Sequence, residues 1–327
     1  MIITRTPFRI SFAGGGSDIP SFYQQHEGCV LSASINKYMY IMIHPTFNKN
    51  ETIIKYKRIE VVDDTDRIEH PIARQILKDY CLSGVEVASV ADVPAGTGLG
   101  SSSAYAVGTL HAVSAYCGKY RSQNRLAEDA CTVELGKLNE PIGKQDQYGV
   151  AIGGIKFIRF LPTGEVDVTP LLLGSECKQE LERNLLMFYT GGVHSASAIL
   201  EEQNNNNTTS KSNYFNLVKM TELAQQLRCD LLNEDLTSFG KTLHEGWLLK
   251  RELASRISNS EINAYYDCAL QHGALGGKLL GAGGGGFLLF YCEKNKQAEL
   301  RSAMSDLMEL DFSFDQGGSK VIHVGDL

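Results

Sequence analysis

The sequence has no Cys-x-x-Cys pair, no long apolar run, no basic stripe and no internal repeat. Each absence removes a class of function. Eight cysteines stand at positions 29, 81, 117, 131, 177, 229, 268 and 292, and the closest two are fourteen residues apart. That spacing builds neither a zinc site nor a dithiol redox centre. It favours free thiols in a reducing compartment, with a sparse disulfide set as the alternative. No apolar stretch approaches the eighteen or so residues that span a bilayer. The opening MIITR lacks the apolar core of a secretory leader. A cytoplasmic protein with no membrane partner is therefore expected. The formal charge is 31 − 38 = −7, with a pI near 5.7. An acidic chain without clustered Lys/Arg is a poor nucleic-acid binder.

What is present is an ordinary globular composition, 43% hydrophobic and 21% charged over 327 residues. Such a chain makes one large domain or two medium ones. The unusual figure is 32 glycines, against roughly 23 for average usage. Eleven of them lie in three clusters: Gly14 to Gly16; Gly96, Gly98 and Gly100; Gly281 and Gly283 to Gly286. So local an excess asks for a local explanation.

Phe8, Ile10 and Phe12 alternate with Arg9, Ser11 and Ala13, which predicts a strand with Arg9 on its less apolar face. Further strands are expected at Lys37 to His44, at Val85 to Ala91, and as a hairpin over Thr52 to Tyr56 and Ile59 to Val62. Pro71 to Tyr80 reads as a helix. Helical spacing of Val107, Leu110, Val113 and Cys117 follows the second glycine cluster, and another helix runs from about Arg125 to Leu138. Ile155 to Leu161, Glu165 to Val168 and a stretch near Leu185 are strands. Glu201 to Ser210 is the one low-complexity stretch, and its polarity predicts a helix end frayed into a mobile loop. Three helices follow, marked by Leu217–Leu227, Leu236–Trp247 and Ile262–Ala269. A hairpin of Lys278 to Ala282 and Phe287 to Cys292, a helix over Gln297 to Met308 and a strand over Lys320 to Val324 close the chain. The simplest grouping is an α+β protein of two domains, 1–175 and 176–327.

The second glycine cluster, PAGTGLGSSSA, lies between a strand and a helix. Glycines let backbone approach a ligand, and a helix N-terminus adds unpaired N–H donors, a geometry that suits polyphosphate. The segment lacks the Lys of a Walker loop and the glycine spacing of a dinucleotide fingerprint. A serine-capped helix after a glycine turn is a nearly equal alternative. Glu134 lies on the apolar stripe of the Arg125–Leu138 helix, where a carboxylate is costly without a partner. Mg²⁺ takes one or two protein oxygens plus substrate phosphates, and Ser102 with Glu134 meets that demand; a structural salt bridge or a wetted helix edge meets it too. Asp146, in GKQDQYG, is either a capping residue in a polar turn or a group that accepts or orients a hydroxyl proton. Arg9 can stabilise phosphoryl charge and Asp18 can grip sugar hydroxyls, although on composition alone their segment is an ordinary glycine-rich strand exit. Four consecutive glycines at 283–286 exceed the needs of a turn and suggest close packing against a ligand or another loop.

Taken in order, PFRISFAGGGSD, the glycine loop ending GLGSSSA and GAGGGG resemble the three motifs of the GHMP kinases, a family that includes galactokinase and the homoserine, mevalonate and phosphomevalonate kinases. RISFAGGGSDIPSFY, SASINKYMYI, GKQDQYGVAIGG and GGKLLGAGGGGF resemble its bacterial heptose-phosphate kinases in particular. The resemblance implies a ribosomal-protein-like β-α domain followed by a ferredoxin-like domain. It also implies ATP-dependent phosphorylation of the anomeric hydroxyl of D-glycero-D-manno-heptose 7-phosphate, a step toward nucleotide-activated heptose. It implies that Gly96, Gly98, Leu99, Gly100, Ser101, Ser102 and Ser103 cradle the ATP phosphates, that Ser102 and Glu134 bind Mg²⁺, and that Asp146 and Arg9 are catalytic. Asp18, Gly15, Gly16, Gly283 and Gly284 would face the substrate. The first cluster departs from the Gly-Glu-His of galactokinase, so sugar contacts there do not transfer. Lys144, Lys250 and Lys278 are candidates for the substrate's own phosphate, although each, taken singly, is expected on a solvated surface. A different sugar kinase and a non-catalytic ATP- and sugar-binding sensor are the rival readings, and a homodimer is left open.

Overall fold

A computed structural model describes residues 1–192 and 196–325 of the chain. The chain opens with β1 (Ile2–Ala13), a short α1 (Pro20–Tyr23) and an 18-residue β2 (Gly28–Pro45). The hairpin β3 (Thr52–Lys55) and β4 (Ile59–Val62) precedes α2 (Pro71–Asp79) and β5 (Val85–Ala91). Then come α3 (Ser101–Tyr116), α4 (Gln123–Cys131), α5 (Gln145–Ala151), β6 (Ile155–Phe160) and β7 (Val166–Pro170). The second half runs α6 (Ser175–Asn184), β8 (Leu185–Tyr189), α7 (Ala196–Thr209), α8 (Lys211–Leu232), α9 (Leu236–Lys250) and α10 (Ser260–Gln271). It finishes with β9 (Ala274–Leu279), β10 (Phe287–Cys292), α11 (Gln297–Ala303), β11 (Met308–Glu309) and β12 (Lys320–Val324).

Two sheets organise these elements. The first has eight strands along the path β12-β1-β2-β5-β3-β4, with β6 and β7 branching from β2. The branch exists because β2 is long enough to pair β6 with its first residues, Gly28 to Ala33, and β5 with its last, Met39 to Pro45. The second sheet is antiparallel, β11-β8-β10-β9. The last strand, β12, leaves the second half and pairs antiparallel with β1. The α+β class and the alternation of β1 are as expected. Phe8, Ile10 and Phe12 are buried in the core, and Phe12 meets Phe239 of α9 edge-on at 5.3 Å, so one strand is packed by both halves.

Four local expectations are corrected. The Glu201–Ser210 stretch does not fray into a loop: α7 continues to Thr209, held by Gln203 and Asn207, both buried, and by Asn206 Nδ2 donating to the Leu253 carbonyl at 3.0 Å. Tertiary packing outweighs its polar composition. The helix over 125–138 is α4 followed by a π turn, Thr132–Lys137, in which Leu138 N–H reaches back to Val133 O. Asp146 lies in the first turn of α5 rather than in an irregular turn. The final helix ends at Ala303, short of Met308.

Candidate active site

Arg9 points off β1, and its position is fixed twice by the second glycine cluster. Its backbone N–H donates to Leu99 O at 3.1 Å, and its Nη1 donates to Gly98 O at 2.6 Å. Its aliphatic stem runs between Gly100 and Gly149, where a Cβ would crowd it. The guanidinium then grips Asp146 with both fork arms: Nε to Oδ1 and Nη2 to Oδ2, each at 2.7 Å. Arg9 is 4% exposed and Asp146 29%, so the carboxylate is the member of the pair that faces open space.

The glycine cluster leads into α3 through Gly100, at φ +77°, with no side chain capping the helix. The first helical bond is Ala104 N–H to Gly100 O. The N–H groups of Ser101, Ser102 and Ser103 therefore precede the ladder and have no intrahelical acceptor. An uncapped N-terminus of a sixteen-residue helix, behind a glycine loop, attracts anions.

Glu134 sits on the π turn, a device that re-aims one residue of a helix and recurs at functional sites. Its carboxylate is 1% exposed and accepts from Ser102 Oγ at 2.8 Å, Ser103 Oγ at 2.9 Å and Gln147 Nε2 at 2.7 Å. Burial still pushes its carboxyl above the usual carboxylate range, against these three bonds. No Lys or Arg pairs with it among the described residues. A buried carboxylate that lacks a cation, beside a serine hydroxyl and an anion-attracting helix end, has the hard oxygen donors that Mg²⁺ prefers. No cluster of three ligating side chains exists among the described residues. A metal carried in largely by phosphate oxygens needs none.

Asp18 is 1% exposed, and burial raises its carboxyl above the usual range. It accepts from Gly16 N–H at 2.9 Å, from Gln145 N–H at 3.1 Å and from Gln145 Nε2 at 2.9 Å. It therefore ties the first glycine cluster to the start of α5, which carries Asp146. The third cluster packs on the second. A Cβ on Gly98 would collide with Leu280 O, and one on Gly281 would lie 2.5 Å from Gly98 Cα. Both glycines have φ near +80°, +86° and +79° respectively, so no other residue fits this crossing.

All three clusters line one cavity of about 1220 Å³, and Asp146 and Glu134 line it too. The predicted residues Gly15, Gly16, Asp18, Gly96, Gly98, Gly100, Ser101, Ser102, Ser103 and Gly283 line it with them. Leu99 is buried behind the loop and Gly284 bonds to Ile257 O; neither lines the cavity. The sequence carries no mark of another part of the cavity lining. There His70 stacks on Tyr105 at 4.4 Å and Tyr56 meets His70 edge-on at 4.9 Å. Nor did it flag Gln145 and Gln147, the residues on either side of Asp146, which hold Asp18 and Glu134. Lys250 and Lys278, expected on a solvated surface, are 5% and 7% exposed and line the cavity. Lys144 does not line it: its ammonium donates to Gly164 O at 2.6 Å and lies 5.0 Å from the Tyr23 ring.

Comparison with known proteins gives the arrangement a family. Residues 68–154 match the model of the GHMP kinases N terminal domain, and residues 227–310 that of the GHMP kinases C terminal. The chain belongs to the GHMP kinases. Across 98% of both chains this GHMP kinase is 29% identical to the D-glycero-alpha-D-manno-heptose 7-phosphate kinase of Campylobacter jejuni. Its structure overlays that of a D-glycero-D-manno-heptose 1-phosphate kinase from Bacteroides thetaiotaomicron, with a TM-score of 0.80 and 25% identity over the whole of both chains. A putative sugar kinase from Campylobacter jejuni follows at TM-score 0.76 and 26% identity, covering 99% of this chain and 98% of that one. The two-domain architecture implied by the motifs is thereby shown. No helix among the described residues is long and apolar enough to cross a membrane.

Proposed function

We propose that this GHMP kinase is an ATP-dependent sugar kinase whose acceptor is the anomeric hydroxyl of a sugar phosphate, D-glycero-D-manno-heptose 7-phosphate. The observation that carries the reading is the Arg9–Asp146 pair, held against the glycine loop at the open end of α3 and exposed to the same cavity. Heptose as the sugar rests on the relatives named above, which share the length of this chain.

Each part of the cavity then has a task. The stacked His70 and Tyr105 rings, with Tyr56 beside them, offer a flat aromatic recess for adenine. The loop from Gly96 to Gly100 and the N–H groups of Ser101 to Ser103 hold the phosphates. Ser102 Oγ and Glu134 would hold Mg²⁺, which when bound spreads the negative charge of the phosphates. Asp146 orients the acceptor hydroxyl. As the sugar oxygen bonds to the γ-phosphorus, the bond to the β–γ bridging oxygen breaks and the hydroxyl proton passes to Asp146. The phosphorylated sugar and ADP are released, and Asp146 returns the proton to water. An anomeric hydroxyl is more acidic than an ordinary alcohol, so orientation is the larger part of Asp146's work. Arg9 keeps that carboxylate aimed and places positive charge where phosphoryl charge develops. Asp18 serves the site by fixing Gly16 and Gln145.

A panel of sugars and sugar phosphates with ATP and Mg²⁺ tests the reading. The expected result is the highest kcat/KM with the heptose 7-phosphate and a 1,7-bisphosphate product seen by phosphorus NMR. A higher kcat/KM with galactose, fucose or mevalonate would replace the substrate. Tight ATP binding with no turnover on any acceptor would make the protein a sensor.

A further inference from the structure

Five Lys and Arg side chains line the cavity; three of them, Arg9, Lys250 and Lys278, are buried, and these are held very differently. Arg9 spends its guanidinium on Asp146 and Gly98. Lys250, at the end of α9, has two long contacts, Gln203 Oε1 at 3.3 Å and Gly15 O at 3.5 Å. Lys278, on β9, has no hydrogen-bond or ion-pair partner among the described residues, although it is 7% exposed. The charged groups that bear on it are Lys250 and Arg9, both of its own sign. A buried ammonium in that position is costly. The chain shows elsewhere how it treats a structural buried lysine. Lys156, fully buried, donates to Ser34 Oγ at 2.8 Å, Ile152 O at 2.6 Å and Gly154 O at 3.1 Å, so all three of its N–H bonds are used. Lys278 lines the cavity with none used.

We infer that Lys278 and Lys250 together form a subsite for a phosphate group, and that this group is the acceptor's own phosphate. The inference rests on the sugar-phosphate reading above and narrows it to two residues. A phosphate dianion supplies acceptor oxygens to both ammonium groups and cancels their mutual repulsion. Burial holds Lys278 down to about 7 and Lys250 to about 8, and an arriving dianion restores both charges. The nucleotide is the other source of phosphate. Its phosphates already have the N–H groups of the second glycine cluster. Lys250 instead touches the first cluster, at Gly15, and Gln203 of α7, whose neighbour Leu200 lines the cavity. The contacts of Lys250 thus come from the first cluster and α7, whereas the aromatic rings of Tyr56, His70 and Tyr105 belong to other segments.

The test uses the full-length protein saturated with Mg²⁺ and a non-hydrolysable ATP analogue, so that the nucleotide's phosphate sites are filled. Inorganic phosphate is titrated and thermal unfolding is followed. Phosphate should raise the Tm of the wild type and leave that of Lys278→Met unmoved. Lys278→Met keeps the apolar stem and removes an unpartnered charge, so its Tm without phosphate should equal or exceed that of the wild type. Kinetics then compare one sugar with and without its terminal phosphate. Lys278→Met should raise KM for the phosphorylated form by at least about tenfold relative to the free sugar, with KM for ATP changed by less than about twofold. Lys250→Met should act in the same direction. A rise in ATP KM with no change in the acceptor ratio would give the lysines to the γ-phosphate and overturn the inference. So would a phosphate-induced Tm rise that survives both substitutions. If the wild type prefers phosphorylated sugars while both variants keep that preference, the subsite fails and the sugar-phosphate reading stands. If the wild type shows no such preference while Lys278-dependent phosphate binding remains, that reading fails instead.

Discussion

Arg9 and Asp146 face each other across two parallel hydrogen bonds of 2.7 Å, and the third guanidinium nitrogen of Arg9 holds the carbonyl of Gly98. One side chain thus sets the distance between the carboxylate that meets the acceptor and the loop proposed for the donor. Asp146→Asn should lower kcat by about 10²–10⁴-fold with both KM values nearly unchanged. Arg9→Lys cannot reproduce a planar fork and should cost about 10²-fold in kcat. Steady-state kinetics measure both, and a kcat within tenfold of wild type for Asp146→Asn would remove it from the reaction.

Glu134 has hydroxyl and amide partners and, among the described residues, no Lys or Arg partner. Glu134→Gln keeps its shape and removes the charge. The Mg²⁺ concentration for half-maximal activity should rise by about tenfold or more. An Mg²⁺ titration superimposable on that of the wild type would count against the metal assignment.

His70 separates the Tyr56 and Tyr105 rings. His70→Ala should raise KM for ATP by about tenfold, the usual worth of one stacked base, while the sugar KM holds. Equal losses for both substrates would place adenine elsewhere.

Gly281 crosses the backbone of Gly98 at φ +79°. Gly281→Ala should cost about 1–2 kcal/mol from the left-handed backbone alone, more from the collision, and should raise KM for ATP. Thermal unfolding and kinetics on one preparation read both effects.

Three buried lysines give the unliganded protein a pH dependence with a definite sign. Lys156 and Lys278 are held down to about 7 and Lys250 to about 8, against 10.5 when unfolded. Above those values the unfolded chain binds more protons than the folded one, so stability should rise with pH between about 7 and 8.5. The window stops short of the usual thiol range, because Cys29, Cys131 and Cys292 are raised and act oppositely above it. A Tm that falls across this window would contradict the burial of these lysines. Lys156→Met removes three buried hydrogen bonds, to Ser34 Oγ, Ile152 O and Gly154 O, and should lose about 1–3 kcal/mol, unlike Lys278→Met.

Much of this was written in the sequence. Alternation placed β1, and helical spacing placed α3, α8, α9 and α10. The order of three glycine motifs pointed to Arg9, Ser102, Glu134 and Asp146, which the fold gathers around one cavity. What stayed hidden depended on segments distant in the chain. Asp18 and Gln145 are 127 residues apart, and no local pattern announces their bond. The π turn under Glu134 has no compositional mark. The polar α7 looked like a loop because its anchors, Leu253 O for Asn206 and Lys250 for Gln203, belong to another segment. Lys250 and Lys278 looked solvated for the same reason: burial belongs to the packing, not to the residue.

The pairing of β12 with β1 has a consequence for how the molecule is made. The strand that carries Arg9 is made before nearly every other described element, and its outer neighbour only after them. Until residues 320–324 emerge, β1 keeps a bare row of N–H and C=O groups on one side, the kind of edge that recruits other strands. The first sheet is therefore closed only after the second has been made, and a chain that stops before residue 320 would keep that sticky edge open.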